Sequence, residues 1–191
     1  MSQKHHGTSK LKKDPAKLDL ACGNNLQSGF TGIDVTKKGT QADIEFNLLA
    51  FPWPFKDNSI KEVFASHFLE HIPHGDGYRD PFFDFFNEVY RILKLNGIAR
   101  FICPYYSSIR AWQDPTHQRA ISEATFLYVS KKWRKLNKLE HYPIKCDFEV
   151  IKFDHGINMS QQGKSQDAIQ YSAMHDINII DDIIVTLKKI V

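Results

Sequence analysis

Over its first hundred residues the chain sets short apolar blocks between turn-forming polar ones, and one later block repeats with helical period. Lys17-Leu18-Asp19-Leu20 reads as a short buried strand running into the small residues Ala21, Cys22 and Gly23. Phe30 to Val35 forms a second apolar strand that ends on a carboxylate, Asp34. Residues 42–48 alternate apolar and polar, which suits a third strand near a sheet edge. Phe51-Pro52-Trp53-Pro54-Phe55 cannot be helical, because two prolines remove donors and fix φ, so it is expected as an extended loop laying its aromatics over the sheet end. After a turn at Asp57-Asn58-Ser59, residues 60–68 supply a fourth strand that leads straight into Leu69-Glu70-His71-Ile72. Asp80-Pro81 opens a helix, with an N-cap, proline at the first position and apolar residues at 82, 83, 85, 86, 89, 90, 92 and 93. Asn96-Gly97 is expected to end it, and 98–104 to form a fifth strand. Further on, Asp114 to Arg119 reads as a turn, Ser122 to Tyr128 as a helix, 148–154 as a strand, 168–174 as a short helix and 182–191 as the last strand. No repeat and no second domain is visible.

A glycine-containing turn after one strand, with an acid at the tip of the next, is how open α/β sheets hold a nucleoside. The turn offers backbone N–H groups, and the acid accepts the ribose hydroxyls. Ala21, Cys22 and Gly23 leave room for a ligand against the backbone, and Gly23 can take positive φ. Gly23 and Asp34 are 11 residues apart, too close for the usual crossover helix between parallel strands.

Asp19-x-Ala21-x-Gly23, with Asp34 after the second strand, resembles the first motifs of the class I S-adenosylmethionine-dependent methyltransferases. The spacing is similar to that of a short-form branch with a truncated first crossover helix. Asn47-Leu48, the aromatic and proline loop, Asp57-Asn58-Ser59-Ile60 and Ala65-Ser66-His67-x-Leu69-Glu70-His71-Ile72 resemble the later motifs in their usual order. The family commonly has aspartate where Asn47 stands; asparagine still accepts from the adenine amino group and donates to a ring nitrogen. The resemblance implies an α/β, Rossmann-like class I methyltransferase fold: a mostly parallel seven-stranded sheet with an antiparallel edge strand and helices on both faces. It implies S-adenosyl-L-methionine as cofactor and S-adenosyl-L-homocysteine as product. The cofactor site it implies comprises Asp19, Ala21, Cys22, Gly23, Asn24, Asp34, Val35, Asn47, Leu48, Ser66 and His67. Ala21 in place of glycine argues against dinucleotide-binding dehydrogenases, which need several glycines near the pyrophosphate. Aminopropyl transfer on the same sheet would call for an acidic motif that Ser66-His67-Phe68 does not supply. The alternative of another class is a catalytically silent S-adenosylmethionine-binding module that acts as partner or regulator.

At 191 residues with 42% apolar content, the chain can bury one core without disulfides or metal. Its three cysteines, Cys22, Cys103 and Cys146, are odd in number and widely spaced, as expected of reduced core thiols in the cytoplasm. The net charge of +3 arises in residues 1–17, which carry +4, so a flexible basic tail (1–16) is expected to precede a single domain (17–191). A nucleic-acid partner does not follow from it, and no apolar run is long enough for a membrane span. The acceptor is expected to be a small molecule or an exposed group on a glycan.

Three further groups carry candidate chemistry. His67, His71 and His74 lie near Glu70 at helical spacings, but Pro73 and Gly75 break any helix there, so no metal site is expected. His67 and His71 are expected instead to line the methionine end of the cofactor. His117, in the Asp-Pro turn, is the candidate general base, with Arg119 orienting an acidic group of the substrate. Lys131-Lys132-Trp133-Arg134-Lys135 contains no acid and reads first as a solvated face, or as a patch for an acidic substrate.

Overall fold

The computed structural model describes residues 15–76 and 79–191. The tail expected at 1–16 falls almost wholly outside them. Seven strands form one sheet: β1 (Lys17–Leu20), β2 (Thr31–Asp34), β3 (Ile44–Glu45), β4 (Ile60–Ser66), β5 (Leu93–Pro104), β6 (Phe148–Ile157) and β7 (Ile180–Lys189). Their order across the sheet is β3-β2-β1-β4-β5-β7-β6. The first five are parallel, and β7 runs antiparallel between β5 and β6. The order reverses between β1 and β4, where Leu20 pairs with Ala65, so the chain leaves both strands side by side at their carboxyl ends.

Among the described residues the α-helices are α1 (Pro81–Ile92), α2 (Glu123–Leu127), α3 (Lys131–Leu136) and α4 (Gln166–His175). α1 starts as its sequence dictates: the Asp80 side chain accepts from Phe82 N at 2.8 Å, and Pro81 needs no acceptor for a missing N–H. Its Phe85 and Phe86 pack edge-on against Phe101 of β5, and Phe86 meets Phe126 of α2, closing one face of the sheet over Val63, Ala65, Val185 and Leu187. The connection at residues 21–30 contains turns and no helix. In place of a crossover helix, Phe30 lies edge-on to Phe64 at 6.3 Å.

Several elements differ from the sequence reading, among them the strands read at 148–154 and 182–191, which span Phe148–Ile157 and Ile180–Lys189. α1 ends at Ile92 rather than at Asn96-Gly97, because Leu93 already pairs with Ile60; the Asn96-Gly97 pair makes a bulge inside β5. The third strand shrinks to two residues, since the Asp43 carboxylate takes the ladder position beside Gly32 N and Asn47 turns the chain. The basic run forms α3, and its Arg134 is buried, donating to the carbonyls of Tyr128, Ile144 and Cys146. It is a structural strut, while Lys131, Lys132 and Lys135 are exposed. The 51–55 loop docks its Trp53 on Phe85 of α1, with Trp53 Nε1 donating to Leu48 O and Arg91 clamping the carbonyls of Trp53 and Phe55. No helix among the described residues is long and apolar enough to cross a membrane.

Candidate functional site

At the end of β1 the chain turns through Ala21 at φ 54° and Gly23 at φ 51°. A side chain on Gly23 would meet nothing within 4 Å, so packing does not demand glycine there. The backbone angle does, and the space above it is open. The Asp34 carboxylate clasps the turn: Oδ2 accepts from Gly23 N at 3.0 Å and Oδ1 from Val35 N at 2.7 Å. Each oxygen keeps lone-pair capacity for hydroxyl donors. Asp19 is buried beneath the loop, its Oδ2 accepting from Gln27 N at 2.8 Å, and desolvation raises its pKa to about 6.

The other expected cofactor residues occupy different roles around this turn. Cys22 is buried, with its thiol raised to about 11, chiefly by burial. Asn24 and Val35 are exposed on the rim. Asn47 spends Oδ1 on Leu49 N at 2.9 Å, which leaves its amide N–H groups as the free donors, and Leu48 is buried beneath it.

The histidines come from the end of β4 and from the loop at 114–119. His67 follows Ser66 at φ 55°, a bend that turns its ring out of the sheet. Its Nδ1 lies 3.3 Å from Glu70 Oε1, and this contact with Glu70 raises the imidazole pKa above its ordinary value. Glu70 itself sits in a short 3-10 turn (Leu69–His71). Its carbonyl accepts from Gln118 N at 2.8 Å and Arg119 N at 3.2 Å, which zips the second loop onto the first. His117 thereby lands beside His71, ring centroids 4.6 Å apart and edge-on. His117 Nδ1 meets Ala111 O at 3.1 Å, and its Nε2 faces Glu70 Oε1 at 4.0 Å. His74 points elsewhere, to Gln118 O.

Two arrangements here are not visible in the sequence. The break at Pro73 and Gly75 does not prevent a carboxylate from being fixed between histidines, because the partner histidine comes from another loop: Glu70, His71 and His117 each place a ligand atom within 4.8 Å of the others. Arg119 borders a surface cavity with Phe82, Phe83 and Tyr128, but its hydrogen bonds go to the fold. It donates to Ile72 O, Pro73 O and Asp80 Oδ1 and lies over the Phe82 ring, tying the loop to the start of α1.

The sequence reading also missed Asp182 and Arg110. Asp182 is the third residue of β7; Arg110 binds its Oδ2 at 2.6 Å, and its Oδ1 is 4.0 Å from His67 Nε2. Burial raises the Asp182 pKa despite Arg110. An acid pair at the head of an otherwise apolar strand was the available signal. Beside this group the 105–112 segment exposes Tyr106, Ile109 and Trp112, and Asn178 anchors it through Ile109 N.

No family model matches the chain, and no curated protein matches it by sequence. Solved structures do. A SAM-dependent methyltransferase from Archaeoglobus fulgidus aligns with a TM-score of 0.59 at 18% identity, covering 91% of this chain and 85% of its own. One from Methanosarcina mazei gives 0.57 at 16% identity over 95% of both chains. Geranyl diphosphate C-methyltransferase from Streptomyces coelicolor, crystallised with Mg2+, geranyl diphosphate and S-adenosyl-L-homocysteine, gives 0.50 at 12% identity over 95% of this chain and 75% of its own. Strand order, the turn at the switch point and these likenesses together identify the chain as a Rossmann-like domain with the class I S-adenosylmethionine-dependent methyltransferase fold.

Proposed function

We propose that the chain is an S-adenosylmethionine-dependent methyltransferase of the short-form type, acting in the cytoplasm on a small molecule or an exposed glycan group. The observation that carries this reading is the Asp34 clasp on the Ala21–Gly23 turn, beside the His67–Glu70 segment at the point where strand order reverses. Ribose hydroxyls donate to Asp34, the Asn47 amide meets the adenine between Val35 and Leu48, and Asp19 supports the loop. Ser66 and His67 line the methionine end. The acceptor enters from the side of His71 and His117, where the exposed rings of Tyr106 and Trp112 offer stacking surfaces suited to a sugar. The three free, buried thiols suit a reducing compartment.

Transfer consists of in-line attack by the acceptor on the sulfonium methyl: the new bond to carbon forms as the C–S bond breaks, leaving S-adenosylhomocysteine. Positioning alone can contribute about 7–11 kcal/mol to such a step. A hydroxyl acceptor must also lose a proton, and the histidine cluster is the group placed to assist. The test is methyl transfer from labelled S-adenosylmethionine into extracts, with untargeted comparison of metabolites and glycans. Label appearing in one acceptor class with wild type and not with Asp34→Ala supports the reading; cofactor binding without transfer to any acceptor refutes catalysis.

A further inference from the structure

We infer that Glu70, His71 and His117 form a site for a divalent transition-metal ion on the acceptor side of the crevice. Glu70 is 1% exposed, and among the described residues neither of its carboxylate oxygens has a hydrogen-bond partner. A buried carboxylate without partners is costly, and it is ordinarily neutralised or bound to a cation. The nearest imidazoles do not supply the missing donors. His67 Nδ1 approaches Oε1 at 3.3 Å as a charge contact, yet both Glu70 oxygens stay without a hydrogen-bond partner. His117 Nδ1 faces the Ala111 carbonyl and so donates to it; in the neutral ring this leaves Nε2, 4.0 Å from Glu70 Oε1 and from Asp114 Oδ2, as the lone-pair nitrogen.

The same logic fixes His71. The single hydroxyl proton of Thr116 goes to Asp114 Oδ1 at 2.7 Å, so Thr116 Oγ1 accepts from His71 Nδ1 at 3.1 Å. In the neutral ring His71 likewise has its lone pair on Nε2. One nitrogen of each ring and a Glu70 oxygen lie within 4.8 Å of one another, a donor group that a shared cation would draw together. Each imidazole is already held by an outer partner, as metal-bound histidines characteristically are.

The donor set selects the ion. Two imidazoles and one carboxylate suit Zn2+, Fe2+, Co2+ or Mn2+ better than Mg2+, which prefers oxygen ligands. Three protein ligands leave a position open, the arrangement of a catalytic rather than a structural ion. Bonds near 2.1 Å set tetrahedral ligands about 3.4 Å apart, so binding draws the group together by roughly 1 Å. If the methyltransferase reading holds, the open position takes an acceptor hydroxyl: its proton leaves to solvent, and the oxygen attacks the methyl. In that arrangement the ion takes over the activating role that His117 alone would have as a base.

The test uses the full chain, stripped with chelator and without cofactor, so that its outcome does not depend on S-adenosylmethionine binding. Zn2+ titration by calorimetry is run on wild type, Glu70→Gln, His117→Gln and Thr116→Val, all with His5 and His6 replaced by alanine to remove tail binding. We expect one equivalent in wild type, binding weakened on the order of 100-fold or more in the first two variants, and about 10–100-fold in Thr116→Val. Glu70→Gln removes an unpartnered charge and should fold without metal. As a measurement independent of any variant, Co2+ loading should give visible d–d bands and no thiolate charge-transfer band. Wild type that binds no Zn2+ and gives no Co2+ spectrum, or binding that survives Glu70→Gln and His117→Gln, overturns the site.

Discussion

The Gly23 amide donates to Asp34 Oδ2 at 3.0 Å, so the acid at the tip of β2 holds the turn at the end of β1 in shape before any ligand arrives. Gly23 has φ 51° and open space where a side chain would stand. Gly23→Ala should therefore cost the free protein only about 1 kcal/mol of backbone strain. Its effect on cofactor affinity should be larger, since the new methyl occupies the approach to the backbone. Melting curves with and without S-adenosylhomocysteine separate the two; equal loss in both would mean that no ligand approaches Gly23.

Ala21 makes the complementary case. It is a residue with a Cβ at φ 54°, which the left-handed region penalises. Ala21→Gly should raise stability by about 0.5–1 kcal/mol without loss of cofactor binding, as measured by urea unfolding. A loss of stability would show that the methyl of Ala21 contributes more by packing than its backbone costs.

Asp19 sets a pH dependence. Its folded pKa, raised to about 6 by burial, lies above its ordinary 3.8, so the folded state binds the extra proton between these values. Its contribution is favourable at low pH and is lost as pH rises through about 6, a change on the order of 2–3 kcal/mol. Stability measured from pH 4 to 7 should carry this decline in wild type and lack it in Asp19→Asn. Parallel profiles would contradict the burial argument.

Arg119 should behave as a structural residue. Arg119→Ala leaves two loop carbonyls without this donor and the Asp80 carboxylate with Phe82 N alone, and a loss of about 1.5–3 kcal/mol is expected by denaturant unfolding. Lysine cannot reproduce the forked geometry and should rescue little. An unchanged stability with a raised KM for acidic acceptors would return Arg119 to the substrate.

What was legible in the sequence was local. The turn, its acid and the Asp80-Pro81 helix start each lie within one short segment, where residue type determines backbone geometry directly. α3 was hidden because five basic or aromatic residues in a row mask a helical period, and only the fold reveals that Arg134 points inward. The Glu70–His117 pairing was out of reach for a different reason. It depends on Gln118 N and Arg119 N bonding to Glu70 O, a contact between distant segments that leaves no spacing signal.

The central claim is that the Asp34-clasped turn binds S-adenosylmethionine. Calorimetric titration of S-adenosylhomocysteine into wild type and Asp34→Ala tests it most directly. The account predicts one equivalent bound by wild type and an affinity lower by about 1–3 kcal/mol in the variant, whose loss leaves two ribose hydroxyls without their acceptor. Wild type that takes up no S-adenosylhomocysteine, or a folded Asp34→Ala that binds it equally well, would contradict the account.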